Sequence, residues 1–208
     1  MEIQTTAEST TSSDLVLRKP NKTMEWFGRA LFRLMGWEID YRLPDDPKMV
    51  IIFAPHTSNW DVLHALPAAF VLGLRPNWLV KSNVNIWPFR RLLGWLGAVP
   101  VERNKQENKV LRIANAIRQS DRIVLGLSPE GTRSYTDYWR SGFYHIARQA
   151  NVPVHFGFID YPSKTIGAHP GFIPSGNIEA DLKKIQAFYQ DKRGKYPENV
   201  GPVRFKSN

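Results

Sequence analysis

A single α/β domain is the architecture this 208-residue sequence predicts: a mixed sheet flanked by helices, with an amphipathic helix at its N-terminal end. Three observations carry that prediction. Short apolar runs rich in branched residues alternate with stretches of helical periodicity. No internal repeat and no linker divides the chain, and its length suffices for one sizeable core. Two of the apolar runs end in polar loops that carry chemically versatile side chains. Residues 1–20 are rich in Thr and Ser and end in Arg18-Lys19-Pro20, the composition of a disordered tail. The domain is therefore assigned to residues 21–208.

Residues 22–37 predict the first helix. At about 100° per residue, Met24, Trp26, Phe27, Ala30, Leu31, Leu34, Met35 and Trp37 fill roughly half the circumference, with Glu25 and Arg29 opposite. Two readings fit: a helix docked on the core, or one lying in a membrane interface with arginines at the headgroups. Glu38–Leu43 reads as a strand, and Pro44-Asp45-Asp46-Pro47 as a turn. Met49–Ala54 reads as a buried strand, being short and rich in branched residues and ending at Pro55. A helix over residues 59–72 follows, then short strands at 77–81 and 98–101. Between these strands, residues 87–96 mix Trp87 and Trp95 with Arg90 and Arg91.

Residues 104–120 predict a helix, with Asn104 and Glu107 spaced as a capping box and Val110, Ile113, Ala114 and Ile117 as its apolar stripe. Residues 122–127 read as a buried strand, 141–150 as a helix and 152–159 as a strand. Residues 178–190 read as a last amphipathic helix, with Ile178, Leu182, Ile185 and Phe188 turned inward.

Composition narrows the function. The chain has no cysteine, which removes disulfides, thiolate metal sites and thiol nucleophiles together. Its net charge of +9 favours anionic partners: nucleic acid, an acidic membrane surface or phosphorylated substrates. The basic residues are dispersed and carry no recognised nucleic-acid motif, so nucleic acid is not expected as a partner. Seven tryptophans favour the membrane surface, where an indole ring is half wetted. No uninterrupted apolar stretch of about 18 residues occurs, and the N-terminus has no signal-peptide core.

The chemistry-bearing residues follow the two buried strands. His56 comes just after residues 49–54, where α/β folds place their chemistry. Imidazole is the usual general base near neutral pH and needs a partner to fix its tautomer. Asp61 is such a partner if His56 lies in the loop before the helix, since a spacing of five inside a helix separates side chains by about 140°. Ser58 is a good N-cap, and Asp61 then stands at the third helical position. The alternative is that Asp61 only completes a capping box with Ser58. His64 allows a third metal ligand, but no further His or Cys clusters nearby, and no metal is expected.

After residues 122–127 comes Pro129-Glu130-Gly131-Thr132-Arg133. Gly131 lets backbone approach a ligand, Thr132 donates hydrogen bonds, and Arg133 can grip phosphate bidentately. An ordinary turn with a local Glu–Arg pair is the alternative. Arg103, two residues after an apolar segment, is a second candidate phosphate ligand.

Taken together, these segments resemble the glycerophospholipid acyltransferase family, of the 1-acylglycerol-3-phosphate acyltransferase type. The resemblance covers roughly residues 49–160. His-x-x-x-x-Asp matches His56 and Asp61, and Pro-Glu-Gly-Thr-Arg matches residues 129–133. A weaker block follows Lys81, Pro88, Gly94, Gly97 and Arg103, and a Val-Pro strand matches Val152-Pro153. Pro55, Ser128 and Phe156 depart from the family's usual residues without removing a reacting group.

The resemblance implies acyl transfer from acyl-CoA or acyl-carrier protein to the hydroxyl of a lysophospholipid, 1-acylglycerol-3-phosphate first, with no cofactor. The alternatives are another lysolipid or aminolipid acceptor, or a non-catalytic basic lipid- or nucleic-acid-binding protein. His56 and Asp61 would be catalytic. Arg103, Glu130, Gly131, Thr132 and Arg133 would bind the acceptor. The protein is then expected at an anionic membrane surface, peripheral on its cytoplasmic face.

Overall fold

The computed structural model of the protein describes residues 22–71, 76–81, 98–101 and 107–206. The expected tail at 1–20, the basic-aromatic segment 87–96, Arg103 and the Asn104 cap lie outside the described residues.

The order of elements is α1 (Lys22–Leu34), β1 (Glu38–Tyr41), β2 (Lys48–Ala54), α2 (Trp60–Val71), β3 (Pro76–Lys81), β4 (Ala98–Val101), α3 (Glu107–Gln119), β5 (Ile123–Leu127), α4 (Gly142–Ala150), β6 (Val154–Asp160), β7 (Thr165–Phe172) and α5 (Ile178–Tyr189). A short 3₁₀ turn at Pro197–Asn199 follows. Most elements lie within a few residues of where the periodicity puts them.

The strands form one mixed seven-stranded sheet in the order β1-β7-β6-β2-β5-β3-β4. The five strands from β6 to β4 run parallel, and β7 joins β6 antiparallel with β1 parallel beside it. Strand β2 is central and covered on both faces. Met49 and Ile51 pack with Ala69 of α2, whereas Val50, Ile52 and Ala54 pack with α3, α4 and α5. That double burial is why its sequence is a continuous apolar run instead of an alternating one. Each such side chain, fully buried, stabilises the fold by about 1.5–3 kcal/mol. Tyr189 of α5 fastens the same layer, its buried hydroxyl lying 2.8 Å from the carbonyl oxygens of Ile52 and Gly157.

Strand β7 departs from the sequence reading, which placed no element there. Thr165–Phe172 contains Gly167, Pro170 and Gly171, which read as loop. The sheet requires those glycines. A Cβ on Gly167 would fall 2.0 Å from the Asp40 carbonyl oxygen, and one on Gly171 1.9 Å from that of Val154.

Helix α1 docks by a narrow seam. Gly28 and Phe32 are buried against α2, and Trp37 just beyond the helix is buried too. Much of its apolar arc faces outward, with Leu31 and Met35 exposed and Trp26 70%, Phe27 64% and Leu34 85% exposed. Among the described residues no helix is long and apolar enough to cross a membrane.

Candidate active site

Strands β6, β2 and β5 are parallel neighbours, so their carboxyl ends lie side by side. The loop after β2 carries His56, the loop after β5 carries Glu130 to Arg133, and Tyr161 follows β6. The three loops meet at one edge.

Asp61 is the centre of the cluster and is 1% exposed. Its Oδ2 lies 3.0 Å from His56 Nδ1 and accepts the backbone N–H groups of Thr57 and Ser58, each at 2.8 Å. Its Oδ1 accepts the hydroxyl of Tyr161 at 2.8 Å. Ser58 Oγ in turn accepts the N–H of Trp60 at 3.1 Å. Ser58 therefore caps the helix start, and the Asp61 oxygen that accepts the Ser58 N–H in return also holds the histidine. The two readings of Asp61 are not alternatives. Burial draws the Asp61 carboxyl upward, but the hydrogen bonds from His56, Ser58 and Tyr161 outweigh it and hold the group below its ordinary value. The carboxylate accepts from Nδ1–H, which leaves Nε2 as the nitrogen able to take a proton; the His56 side chain is 20% exposed.

Glu130 is also interior. Its Oε2 accepts the backbone N–H of His56 at 2.8 Å and the hydroxyl of Ser128 at 3.1 Å. Burial pushes its carboxyl up to about 7 despite those donors. The bond to His56 N–H braces the loop that carries His56, a contact the sequence did not disclose for this expected acceptor ligand.

Gly131 turns the loop with φ at +66°, a conformation that favours glycine, and a Cβ there would lie 2.6 Å from Arg140 Nε. Thr132 Oγ1 accepts the N–H of Ser134 at 3.2 Å. Arg133 is exposed and donates from Nη1 to the Asn59 side chain, at the start of α2. The guanidinium thereby stands on the same helix end as the His56–Asp61 pair.

His64 does not join the pair. Its Nδ1–H donates to the Trp60 carbonyl at 2.8 Å, and its ring packs 4.4 Å from that of Trp37. Among the described residues no group of three or more His, Cys, Asp or Glu side chains is arranged to hold a metal ion. His155 and His169 pair instead with Asp46 and Asp40, away from the cluster.

Sequence reasoning missed Tyr161 and the segment after α5. The signal for Tyr161 was present: an aromatic hydroxyl just past a buried parallel strand, the placement that singled out His56. The late segment gave no such signal. It reaches the loop through Tyr196, whose N–H donates to Thr57 Oγ1 at 3.2 Å, and through Lys195, whose ammonium lies 4.6 Å from the centre of the Trp60 ring.

The acyltransferase family model matches residues 39–156, more than half of the chain, and takes in His56, Asp61 and residues 129–133. Among solved structures the chain is similar to PlsC, the 1-acyl-sn-glycerophosphate (LPA) acyltransferase from Thermotoga maritima. The TM-score is 0.55 and the identity 18%, over 80% of this chain and 75% of that one, a likeness of fold. No curated protein sequence matches.

Proposed function

The chain belongs to the acyltransferase family, and from that premise we propose that it moves a fatty acyl group from acyl-CoA or acyl-carrier protein to a lysophospholipid hydroxyl. The acceptor proposed first is 1-acylglycerol-3-phosphate, the substrate class named for PlsC. The observation that carries the reading is the 3.0 Å contact between His56 Nδ1 and a buried, ionised Asp61.

In this reading His56 Nε2 removes the acceptor's hydroxyl proton as the oxygen attacks the thioester carbonyl. The C–O bond forms, and collapse of the tetrahedral intermediate breaks the C–S bond. The imidazolium returns its proton to the departing thiolate, so ester and free thiol leave together. Asp61 fixes the tautomer with its proton on Nδ1, so that Nε2 faces the acceptor with its lone pair, and stabilises the imidazolium that forms. No covalent acyl-enzyme is needed. Arg133 and Arg103 bind the acceptor's phosphate, while Gly131 and Thr132 shape the loop that presents Arg133. Glu130 acts through His56, as a positioning residue.

The proposed place of work is a membrane surface on its cytoplasmic side. The outward apolar face of α1, with Trp26, Phe27, Leu31 and Leu34, supports a peripheral anchor. The net charge of +9 supports an anionic surface. The deciding experiment incubates purified protein with labelled acyl-CoA or acyl-carrier protein and a panel of lysolipids, followed by product identification. Labelled phosphatidic acid is the expected product. Transfer to no lysolipid from either donor overturns the reading.

A further inference from the structure

Among the described residues, Tyr161 is the one side chain bonded to the His56–Asp61 pair that the reaction above leaves without a role. Its hydroxyl donates to Asp61 Oδ1 at 2.8 Å, while three donors converge on Oδ2. Its ring stands edge-on to Trp37 at 5.2 Å, and its backbone N–H is fixed by the Arg193 carbonyl at 3.1 Å. The hydroxyl is thus aimed by packing and by main chain. With both oxygens held, the carboxylate cannot turn about its own axis without losing a bond. Tyr161 lies beyond the family-matched residues 39–156.

We infer that Tyr161 is a positioning residue for acyl transfer: it locks the Asp61 carboxylate in register with His56 and draws charge from it through Oδ1. The inference rests on His56 acting as the base. Burial first, then the hydrogen bond to Asp61 and its charge, raise the phenol's pKa, so it remains a donor to Oδ1. Among the described residues, the other titratable groups facing this network are Glu130, bonded to the His56 N–H, His64 against the Tyr161 ring, and Tyr196. None of these donates to Oδ1.

The test is Tyr161→Phe, which keeps the ring against Trp37. The expected kcat falls roughly ten-fold, the worth of a hydrogen bond to a charged group, with both Michaelis constants unchanged. Charge left on Asp61 then stabilises the imidazolium more, so the acid limb of the pH–rate profile moves to higher pH. Fluorotyrosine at position 161, a stronger donor on the same frame, should move that limb to lower pH. It serves equally if the Phe variant fails to fold. An unmoved limb in folded protein of either kind overturns the inference, as does a kcat unchanged in Tyr161→Phe. His56→Ala separates the two levels: if it is inactive while Tyr161→Phe is normal, only this inference falls; if it is active, both readings fall.

Discussion

Glu130 accepts the backbone N–H of His56 at 2.8 Å, across 74 residues of sequence. The loop after β5 thereby sets the height of the loop after β2, and with it the histidine. Asp61 sets the rotation of the ring from the other side. The site is held by two buried carboxylates with opposite electrostatics: one kept ionised by its donors, the other pushed toward its neutral form by burial.

Replacing His56 by Ala should abolish acyl transfer in folded protein, since a general base contributes about 10²–10⁴-fold. Asp61→Asn should also lose most of the rate, because an amide cannot hold the same tautomer or support the imidazolium. Steady-state rates beside circular dichroism check both. Near-normal turnover in folded His56→Ala protein excludes the mechanism.

The raised pKa of Glu130 has a sign that can be measured. Its folded value of about 7 exceeds the ordinary 4.5. Between those values the folded state keeps a proton that the unfolded state has lost. Stability from this group is therefore present in acid and falls as pH rises through 7. Glu130→Gln cannot ionise and should remove that slope, a difference on the order of 3 kcal/mol at alkaline pH. Urea unfolding at a series of pH values reads it; parallel curves for the two proteins contradict the assignment.

Arg133→Ala and Arg103→Ala should each raise the Michaelis constant for the phosphate-bearing acceptor, with little change for the acyl donor. A charge-assisted hydrogen bond is worth roughly 1.5–3 kcal/mol, about ten- to a hundred-fold in affinity. Equal effects on both substrates would remove these arginines from the phosphate.

Making Trp26, Phe27 and Leu31 polar should sharply weaken co-sedimentation with anionic vesicles while leaving the fold intact, because these side chains face outward. Wild-type binding should be stronger on anionic than on neutral vesicles and should weaken in salt. An unfolded triple variant would return these residues to the core. A wild type indifferent to both vesicle types would end the membrane reading.

Local pattern was enough for much of this. The apolar run of β2, the Ser58–Asp61 pairing at the start of α2, the turn at Gly131 and the stripe of α3 follow from side-chain period and spacing, which act within a few residues. Strand β7 was not legible, because its glycines serve the backbones of Asp40 and Val154, both distant in sequence. The outward arc of α1 was legible as apolar, but only the placement of α2 decided that Gly28 and Phe32 form the seam. The composition of the site belongs to tertiary structure as well. Strand order β6-β2-β5 brings Tyr161, His56 and Glu130 to one edge, and period-two alternation says which face a residue takes, not which strand lies beside it.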